Sequence, residues 1–119
     1  MKGWKLTNNQ GQTYSGMQWG EGVTNQAAGP GHAFCSADLI HFYSDPLVAM
    51  LHNPMHANYV DPQLWECETT GLIFDDMGLK LGAKTVTTLR RVPFIVVSTA
   101  TRVRYAILVA KEVSFRKAW

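Results

Sequence analysis

Short stretches in which apolar and polar residues alternate occur along most of this chain, and a period of two residues predicts β-strands. In the stretch 64–70, Trp65, Cys67 and Thr69 share one side of the predicted strand, and the two glutamates share the other. Residues 8–11 form a turn cluster, which predicts that the first two strands pair as a hairpin. The predicted strands cover residues 2–6, 13–19, 33–36, 39–43, 64–70 and 83–92.

A short helix is predicted between the fourth and fifth of these strands. Ser44 or Asp45 can accept hydrogen bonds from the first free N–H groups, and Pro46 suits the first turn, where its missing N–H is not needed. The helix then runs to His52. It is expected to end at Asn53-Pro54, because the residue before a proline is pushed out of the helical conformation.

A second and longer helix is predicted near the C-terminus, where Ser98 and Thr99 can cap a segment that extends to about residue 113. Its apolar residues recur at helical spacing and form one stripe, which is the usual sign of a helix side that packs on a core. The stripe consists of Val103, Ala106, Ile107, Ala110 and Val113.

These elements predict an α+β fold, with one small and mostly antiparallel sheet and two helices packed against it. The helices are too few and too far apart for repeated βαβ units. Residues 1–119 are expected to form a single domain, because a chain of this length buries roughly two thirds of its unfolded surface. The glycine-rich segment 20–32 is predicted as a long loop, and residues 75–78 are predicted as a turn.

Composition excludes several classes of protein. Apolar residues make up 46% and charged residues 17%, which is the balance of a globular chain rather than a disordered one. No apolar run reaches the roughly 18 residues of a membrane span, and no secretory signal is present, so no membrane partner is expected. Two cysteines, Cys35 and Cys67, make no disulfide framework, although one bond between them stays open; a reducing cytoplasm is the expected location.

Charge is distributed unevenly along the chain, although the net charge is only +2. Residues 1–79 hold two lysines and eight carboxylates, a balance of −6, whereas residues 80–119 hold nine basic residues and one glutamate, a balance of +8. Such asymmetry indicates a polyanion, a partner with an acidic face, or mutual neutralisation between strands of opposite charge. The pI of 8.6 lies below the value of about 9 that marks a uniformly basic nucleic-acid-binding domain.

The basic residues of the C-terminal part are the strongest candidates for a binding site. Arginine forks bind phosphates and carboxylates through paired hydrogen bonds, and neighbouring aromatic rings can stack on bases. A nucleic acid and an acidic protein surface would therefore satisfy these residues equally. The candidate binding residues are Arg90, Arg91, Arg102, Arg104, Lys111, Arg116 and Lys117, the acidic residues Glu66 and Glu68, and Trp119 as an aromatic anchor.

The two glutamates allow a catalytic interpretation as well as a structural one. Glu66 and Glu68 share one side of a predicted strand, where they could act as an acid pair in a cleft. A solvated strand face opposite Lys84 or Arg90 explains the same pattern, and it is the interpretation that we favour.

Other groups with catalytic or metal-binding chemistry are few and scattered. His52 and His56 have the spacing of one helix face, but Pro54 lies between them. His32 and Cys35 form a single short-spaced pair, whereas a structural zinc ion needs four ligands. Either cysteine is more typical of a small buried apolar residue than of a nucleophile. The sequence thus assigns no catalytic residue, no metal and no cofactor, and it favours a protein that is not an enzyme.

Three segments of the chain support a resemblance to a known family. They are Leu39-Ile40-His41-Phe42-Tyr43-Ser44-Asp45-Pro46 with Asn53-Pro54-Met55-His56, Leu64-Trp65-Glu66-Cys67-Glu68 with Lys80-Leu81-Gly82-Ala83-Lys84, and Arg102-Val103-Arg104-Tyr105-Ala106-Ile107 with residues 115–119. Together they resemble a family of small bacteriophage and prophage proteins of unknown function, over most of the chain. The resemblance implies a location in the cytoplasm of a bacterial host, and it transfers no catalytic residues.

A weaker resemblance, in outline only, is to the ADP-ribosyltransferase fold. Residues 39–49 and 64–68 follow its order of an apolar strand, a helix that starts at Ser/Thr-Asp, and a later strand. That family also uses a His or Arg on the first strand to hold NAD, and a late glutamate. The first strand of this chain offers Trp4 and Lys5 instead.

The sequence leads to one main hypothesis and two alternatives. The resemblance to phage proteins implies an accessory protein that binds a host protein or nucleoprotein complex, foremost an antiviral defence complex such as CRISPR–Cas, and blocks it without catalysis. The first alternative is a small ADP-ribosyltransferase-like or nucleotide-binding domain. The second is a protein that binds nucleic acid through its basic C-terminal region. None of the three fixes the oligomeric state.

Overall fold

The chain folds into β-strands and α-helices in the order ββ-βα-ββββ-α, and this content confirms the predicted α+β class. Its computed structural model describes residues 1–13, 16–32, 38–53, 59–76, 80–93 and 97–117. The strands are β1 (Lys2–Thr7), β2 (Val23–Gln26), β3 (Ile40–Phe42), β4 (Gln63–Glu68), β5 (Ile73–Asp76), β6 (Lys80–Ala83) and β7 (Thr85–Val92), and the helices are α1 (Pro46–His52) and α2 (Thr99–Lys117).

The strands form two antiparallel sheets, where the sequence predicted one. The larger sheet has four strands in the order β1-β4-β7-β2, and the smaller sheet has three in the order β3-β6-β5. In the larger sheet β4 lies between β1 and β7, with Leu6 opposite Leu64 on one side and Glu66 opposite Arg90 on the other. This sheet therefore joins the N-terminal strand to strands from the second half of the chain.

The predicted hairpin between residues 2–6 and 13–19 is wrong, because β1 pairs with β4 over its whole length. In the described part of 13–19 there is no named strand, and the segment is closed by an isolated bridge between Gln12 and Gln18. Trp19 at its end is buried, and its indole N–H donates to the hydroxyl of Thr13 at 2.8 Å. The segment supplies a core side chain rather than a strand, so β1 takes its partner from far along the chain.

Three other predicted boundaries differ from the structure. The segment 20–32, predicted as a loop, contains β2, which pairs with β7. The residues at 75–76, predicted as part of a turn, continue β5, and the predicted strand 83–92 is divided at Lys84 into β6 and β7. The predicted strand 33–36 lies outside the described residues.

Two apolar clusters hold these elements together. One joins the larger sheet to the smaller one, and the other packs α1 against β1 and β4. Burial of aliphatic and aromatic side chains in such clusters is the main favourable contribution to folding. The first cluster consists of Trp19, Ile40, Phe42, Cys67, Ala83 and Val86, and the second consists of Leu6, Tyr43, Ala49, Met50 and Leu64.

Helix α1 begins as the sequence predicted. Asp45 is its N-cap, and the Asp45 carboxylate accepts a hydrogen bond from the Leu47 N–H at 2.7 Å, while Pro46 occupies the first turn. The helix ends at His52, also as predicted. The cap fixes where the helix begins, and the residues Ala49 to His52 that follow are all buried.

Lys84, at the break between β6 and β7, ties the glycine-rich connection to the body of the protein. Its ammonium donates hydrogen bonds to the carbonyl oxygens of Gly29 at 3.1 Å, of Asp38 at 2.7 Å, and of Gly31. Glycine is required at Gly29, because a Cβ there would overlap the Asp38 carboxylate and lie 2.9 Å from the Asp38 backbone. One charged side chain thus satisfies carbonyl groups from two separate segments.

Replacing Lys84 with methionine keeps most of the aliphatic stem and removes the ammonium. This variant is expected to lower the free energy of unfolding by about 2 kcal/mol, because hydrogen bonds from a charged donor are lost. Denaturant unfolding measures the change. Lys111→Met is the matched control, since Lys111 is exposed on α2, and it should change the free energy by less than about 0.5 kcal/mol. Equal effects in the two variants would contradict the role given to Lys84.

Candidate functional site

The clearest grouping of predicted site residues is a row of charged side chains across the larger sheet. Glu66 Oε2 lies 2.9 Å from Arg90 Nε, and Glu66 Oε1 lies 3.4 Å from Lys2 Nζ. The hydrogen bond from Arg90, with the positive charges of both neighbours, lowers the pKa of the Glu66 carboxyl. Glu66 is thus neutralised within its own sheet, as the favoured interpretation expected, and an ionised carboxylate is unsuited to act as a general acid.

Glu68 on β4 and Arg91 on β7 are also exposed. Glu68 lies opposite Lys2, and Arg91 lies opposite Trp65. Because successive residues of a strand point to opposite faces, Arg91 does not share the face on which Arg90 meets its carboxylate. The predicted Arg90-Arg91 pair is therefore split between the two faces of the sheet.

The structure describes one member of each pair that has metal-ligand spacing in the sequence. His52 is buried in α1, while His32 is exposed and stacks on Phe74 with ring centroids 4.5 Å apart. His56 and Cys35 lie outside the described residues. Among the residues that the structure describes, no three His, Cys, Asp or Glu side chains lie close enough to hold a metal ion.

Two groups with nucleophile chemistry, the Cys67 thiol and the Lys5 amine, are buried. Burial raises the pKa of the free Cys67 thiol to about 12, so the thiol is protonated at neutral pH and unsuited to nucleophilic attack. Burial also lowers the pKa of Lys5 from 10.5 to about 8. Lys5 Nζ donates to the carbonyl of His41 at 2.6 Å and lies 5.1 Å from the centre of the Trp19 ring. The amine therefore links the two sheets.

Most of the basic candidates are carried by α2, which extends to Lys117 rather than ending near residue 113. Ser98 caps the helix as predicted, because its Oγ accepts a hydrogen bond from the Thr101 N–H at 3.2 Å. Trp119 lies outside the described residues. The basic residues within the helix are Arg102, Arg104, Lys111, Arg116 and Lys117.

One narrow side of α2 contacts the rest of the protein. Arg102, Tyr105 and Val109 are half-buried, and the other described side chains of the helix are exposed. The Tyr105 hydroxyl and His52 Nε2 share a hydrogen bond of 2.5 Å, and Arg102 Nη1 donates to the carbonyl of Met50 at 3.2 Å. Burial raises the pKa of the Tyr105 hydroxyl, which keeps it protonated at neutral pH. Polar contacts to α1 therefore make a large part of the attachment of α2.

The apolar stripe of α2 faces solvent, so the prediction that it packs on the sheet is wrong. Val103 and Ile107 are 54% and 51% exposed, and Ala106 and Ala110 of the same stripe are exposed as well. Leu108, on the adjoining side, is 59% exposed. The physical reason is that α1 covers the apolar part of this sheet face at Leu64, and the neighbouring positions carry the charged pair of Glu66 and Arg90, which offers no apolar surface to the stripe.

The side of α2 that does pack had a weak signal in the sequence. Arg102, Tyr105 and Val109 recur at positions i, i+3 and i+7, which is the spacing of one helix face. Hydrophobic periodicity does not identify this face, because two of its three residues, Arg102 and Tyr105, are polar or partly polar. Tyr105 packs there since its hydroxyl forms a hydrogen bond with the buried His52. The side chain of Val113, the last member of the predicted stripe, lies outside the described residues.

Two basic side chains lie within the exposed apolar part of α2. Arg104 and Lys111 are each three or four residues from both Ile107 and Leu108, and residues at that spacing are neighbours on a helix surface. Both basic side chains are exposed. We call the following set the exposed α2 surface: Val103, Arg104, Ala106, Ile107, Leu108, Ala110 and Lys111.

No protein-family model, curated protein or solved structure matches this chain. Among the helices that the structure describes, none combines the length and the apolar character that crossing a membrane requires. Function is therefore inferred from the chemistry of the molecule's own surfaces.

The lowered pKa of Lys5 predicts a pH dependence of stability. Between about pH 8 and 10.5 the unfolded chain keeps a proton on this amine that the folded chain has lost, so the free energy of unfolding rises with pH in this window. Relative to Lys5→Met, the chain with Lys5 should gain roughly 2 to 3 kcal/mol between pH 7 and pH 10. Denaturant unfolding at both pH values measures the difference.

Both chains in this comparison carry Cys67→Ala. Titration of the thiol would otherwise lower stability above about pH 9, because the folded state holds that proton to a higher pH than the unfolded state does. Free energies of unfolding that change in parallel with pH in the two chains would contradict the burial of the Lys5 amine.

The contact between Tyr105 and His52 predicts a local effect on α2. Tyr105→Phe removes one hydrogen bond, so amide hydrogens of α2 should exchange about fivefold faster while those of β4 and β7 stay unchanged. Hydrogen exchange read by mass spectrometry measures this. Ile107→Val is the control on the exposed side of the helix, because the two residues have similar helix propensities, and it should leave the exchange rates near those of the parent chain. A uniform change over the whole protein would contradict a local role for this contact.

Proposed function

We propose that this protein is a binding protein that engages another protein through the exposed α2 surface and acts without catalysis. The observation that carries the proposal is the exposure of large aliphatic side chains along a 19-residue helix, where Val103, Ile107 and Leu108 are each more than half exposed. Single apolar residues are normal on a protein surface. A row of them at helical spacing is typical of an interaction site.

Helix α2 combines strong helix formers, such as Ala106, Leu108 and Ala110, with several β-branched residues. Thr101, Val103 and Ile107 are β-branched, and such residues form helices less readily than alanine or leucine. Helices in proteins obtain most of their stability by packing an apolar face. Because the side chains described in α2, up to Glu112, pack only on the Tyr105 side, a partner that covers the exposed α2 surface would supply a further apolar contact.

The spacing of the exposed residues fits one mode of protein recognition. A helix that binds in an apolar groove uses anchors at positions i, i+3, i+4 and i+7. In α2 these positions are Val103, Ala106, Ile107 and Ala110, and they lie on one side over about 10 Å of helix. The opposite side is already attached to α1, so the helix is ordered before it binds and loses little entropy on binding.

The resemblance to small phage proteins extends the proposal to a class of partner. That class is a host protein or nucleoprotein complex in the bacterial cytoplasm, foremost an antiviral defence complex such as CRISPR–Cas. A protein that blocks such a complex needs a complementary surface rather than an active site. An exposed helix that carries both aliphatic anchors and basic side chains meets that requirement.

Direct binding of nucleic acid is the less favoured alternative, because several of the basic candidates are engaged or dispersed. Arg90 is paired with Glu66, and Arg91 lies on the other face of the same sheet. Arg102 donates a hydrogen bond to the carbonyl of Met50. A phosphate-binding face would have these side chains free and side by side, and its affinity would fall steeply with salt.

The nucleotide-binding alternative meets an obstacle in β1. The ADP-ribosyltransferase outline needs a His or Arg there to hold NAD, and β1 offers Trp4 and Lys5. The Lys5 amine is buried against the carbonyl of His41 and the ring of Trp19. Protein binding therefore remains the better-supported proposal.

Ile107→Glu tests this proposal. Tagged protein is used to capture partners from a lysate of a bacterial host with active defence systems, and the captured proteins are quantified by mass spectrometry. The parent chain is expected to retain one protein at near-equal stoichiometry. Ile107→Glu should retain at least about tenfold less of it, because a carboxylate buried without a partner in an apolar contact is unfavourable.

Leu72→Glu is the matched control for this experiment. Leu72 is 78% exposed and precedes β5, so the variant adds the same charge to an aliphatic residue away from α2. It should retain the partner as well as the parent chain does. A partner retained equally by all three proteins, or no stoichiometric partner at all, would contradict the proposal.

A further inference from the structure

We infer that the surface covering α2 in the complex is an apolar protein groove bordered by carboxylates, and that Arg104 and Lys111 bind those carboxylates. This inference rests on the proposed function, because it names the chemistry of the partner that the exposed α2 surface fits. It commits to one kind of occupant, an acidic protein groove, over a second copy of this chain or a lipid surface.

The charge of α2 points to an acidic partner. Arg104 and Lys111 are exposed among the apolar residues, whereas Arg90, a comparable arginine on β7, is neutralised by Glu66 within the sheet. Residues 80–119 have a balance of +8, and Glu112 is their single acidic residue. A partner that covers the apolar row also covers its two basic neighbours, and carboxylates at the border of the contact are the groups that would pair with them.

The spacing of the two basic residues indicates how far apart the carboxylates of the groove lie. Arg104 and Lys111 are seven residues apart, which is about 10 Å along the helix axis. Both lie next to Ile107, at i−3 and i+4 from it. The partner therefore presents carboxylates about 10 Å apart beside the pocket that receives Ile107.

A second copy of the chain fits this surface poorly. Arg104 and Lys111 have their common centre between Ile107 and Leu108, about one residue from the midpoint of the apolar row Val103 to Ala110. Two α2 helices that cross antiparallel at this centre would bring Arg104 of one copy to Lys111 of the other. A parallel pair would bring each residue to its own equivalent. Both arrangements oppose like charges over a short apolar contact, which disfavours association.

A lipid surface fits less well than a protein groove. Helices that lie in a membrane interface carry bulky residues such as Trp, Phe and Leu on the apolar side. The stripe of α2 instead alternates Val103 and Ile107 with two alanines, and Leu108 lies to one side of it. Small residues between larger anchors allow the walls of a groove to approach the helix closely, whereas they bury little area in lipid.

The test measures binding of the full-length protein to Ca²⁺-loaded calmodulin, which serves as a probe of defined chemistry. Its Ca²⁺-loaded form exposes a Met-rich apolar groove that accepts basic amphipathic helices, and removal of Ca²⁺ closes that groove. The parent chain is expected to bind the open form with a Kd of about 10 μM by titration calorimetry. It should bind the Ca²⁺-free form at least tenfold more weakly, although that form is also acidic.

Three single variants test the central apolar anchor and its two basic neighbours. Ile107→Glu should weaken binding at least tenfold. Arg104→Glu and Lys111→Glu should each weaken it at least fivefold at low salt, and the difference should shrink as salt is raised. Arg91→Glu is the matched control, because it reverses an exposed arginine on β7, and it should leave the Kd within twofold. Thermal unfolding checks that each variant is folded.

The outcomes distinguish this inference from the proposed function. If Ile107→Glu abolishes binding while the two charge reversals behave like Arg91→Glu, the groove contact stands and the carboxylate border is overturned. If the parent chain binds neither form of calmodulin at 200 μM (about twentyfold the expected Kd), the inference is overturned, and the capture experiment with Ile107→Glu still judges the proposed function by itself. Equal binding to both forms indicates a purely electrostatic contact and overturns the inference.

Two further measurements test whether a second copy of the chain or a lipid surface covers α2 instead. Sedimentation equilibrium of the parent chain should show a monomer, and a dimer that Ile107→Glu dissociates would assign the surface to a second copy. Vesicles of phosphatidylcholine with phosphatidylglycerol should bind the parent chain and Ile107→Glu equally weakly. Vesicle binding that depends on Ile107 would assign the surface to lipid. Either of these positive results overturns the inference.

Discussion

The structure depends on the apolar residues of strand β4, which are buried in a different cluster on each face. Leu64 on one face packs in the cluster beneath α1, while Cys67 on the other packs with residues of the three-stranded sheet. The indole N–H of Trp65 donates to the buried hydroxyl of Thr7 at 3.0 Å, so the polar atom of this large ring also has a partner. A shift of one residue would exchange the two faces of β4, and burial of both faces therefore fixes its register against β1 and β7.

This arrangement also determines what is left for α2. On the face that β4 presents to α1, Leu64 is covered by Ala49 and Met50 and the neighbouring positions are charged, and on the other face Cys67 is covered by the smaller sheet. Helix α2 therefore joins the protein through the side of α1, where Tyr105 meets His52. A helix attached in this way keeps its most regular apolar face in solvent. The exposure of Ile107 follows from how the core is filled, and the same exposure makes that face available to a partner.

The sequence predicted features that depend on neighbouring residues and missed those that depend on distant ones. The Asp45 cap, the burial of Cys67 and the start of α2 at Ser98 were all predicted, because each is decided within a few positions. The pairing of β1 with β4 was missed, because turn residues at 8–11 favour a local hairpin and contain no information about a strand near residue 65. The outward direction of the α2 stripe was missed for a related reason. Periodicity identifies an apolar face, but whether that face is buried depends on which other elements already cover the core.

The topology of the larger sheet brings the acidic and the basic parts of the chain together. The acidic N-terminal part and the basic C-terminal part are interleaved as neighbouring strands, so that Glu66 meets Lys2 on one side and Arg90 on the other. The basic charges of Lys2 and Arg90 are thereby used for pairing, and the acidic and basic parts of the sequence are mixed within one sheet of the folded molecule. Further basic residues lie on α2, where Arg104 and Lys111 are exposed beside aliphatic side chains. Charge and apolar exposure therefore coincide on one element, and a surface that satisfies both must be acidic at its border and apolar at its centre.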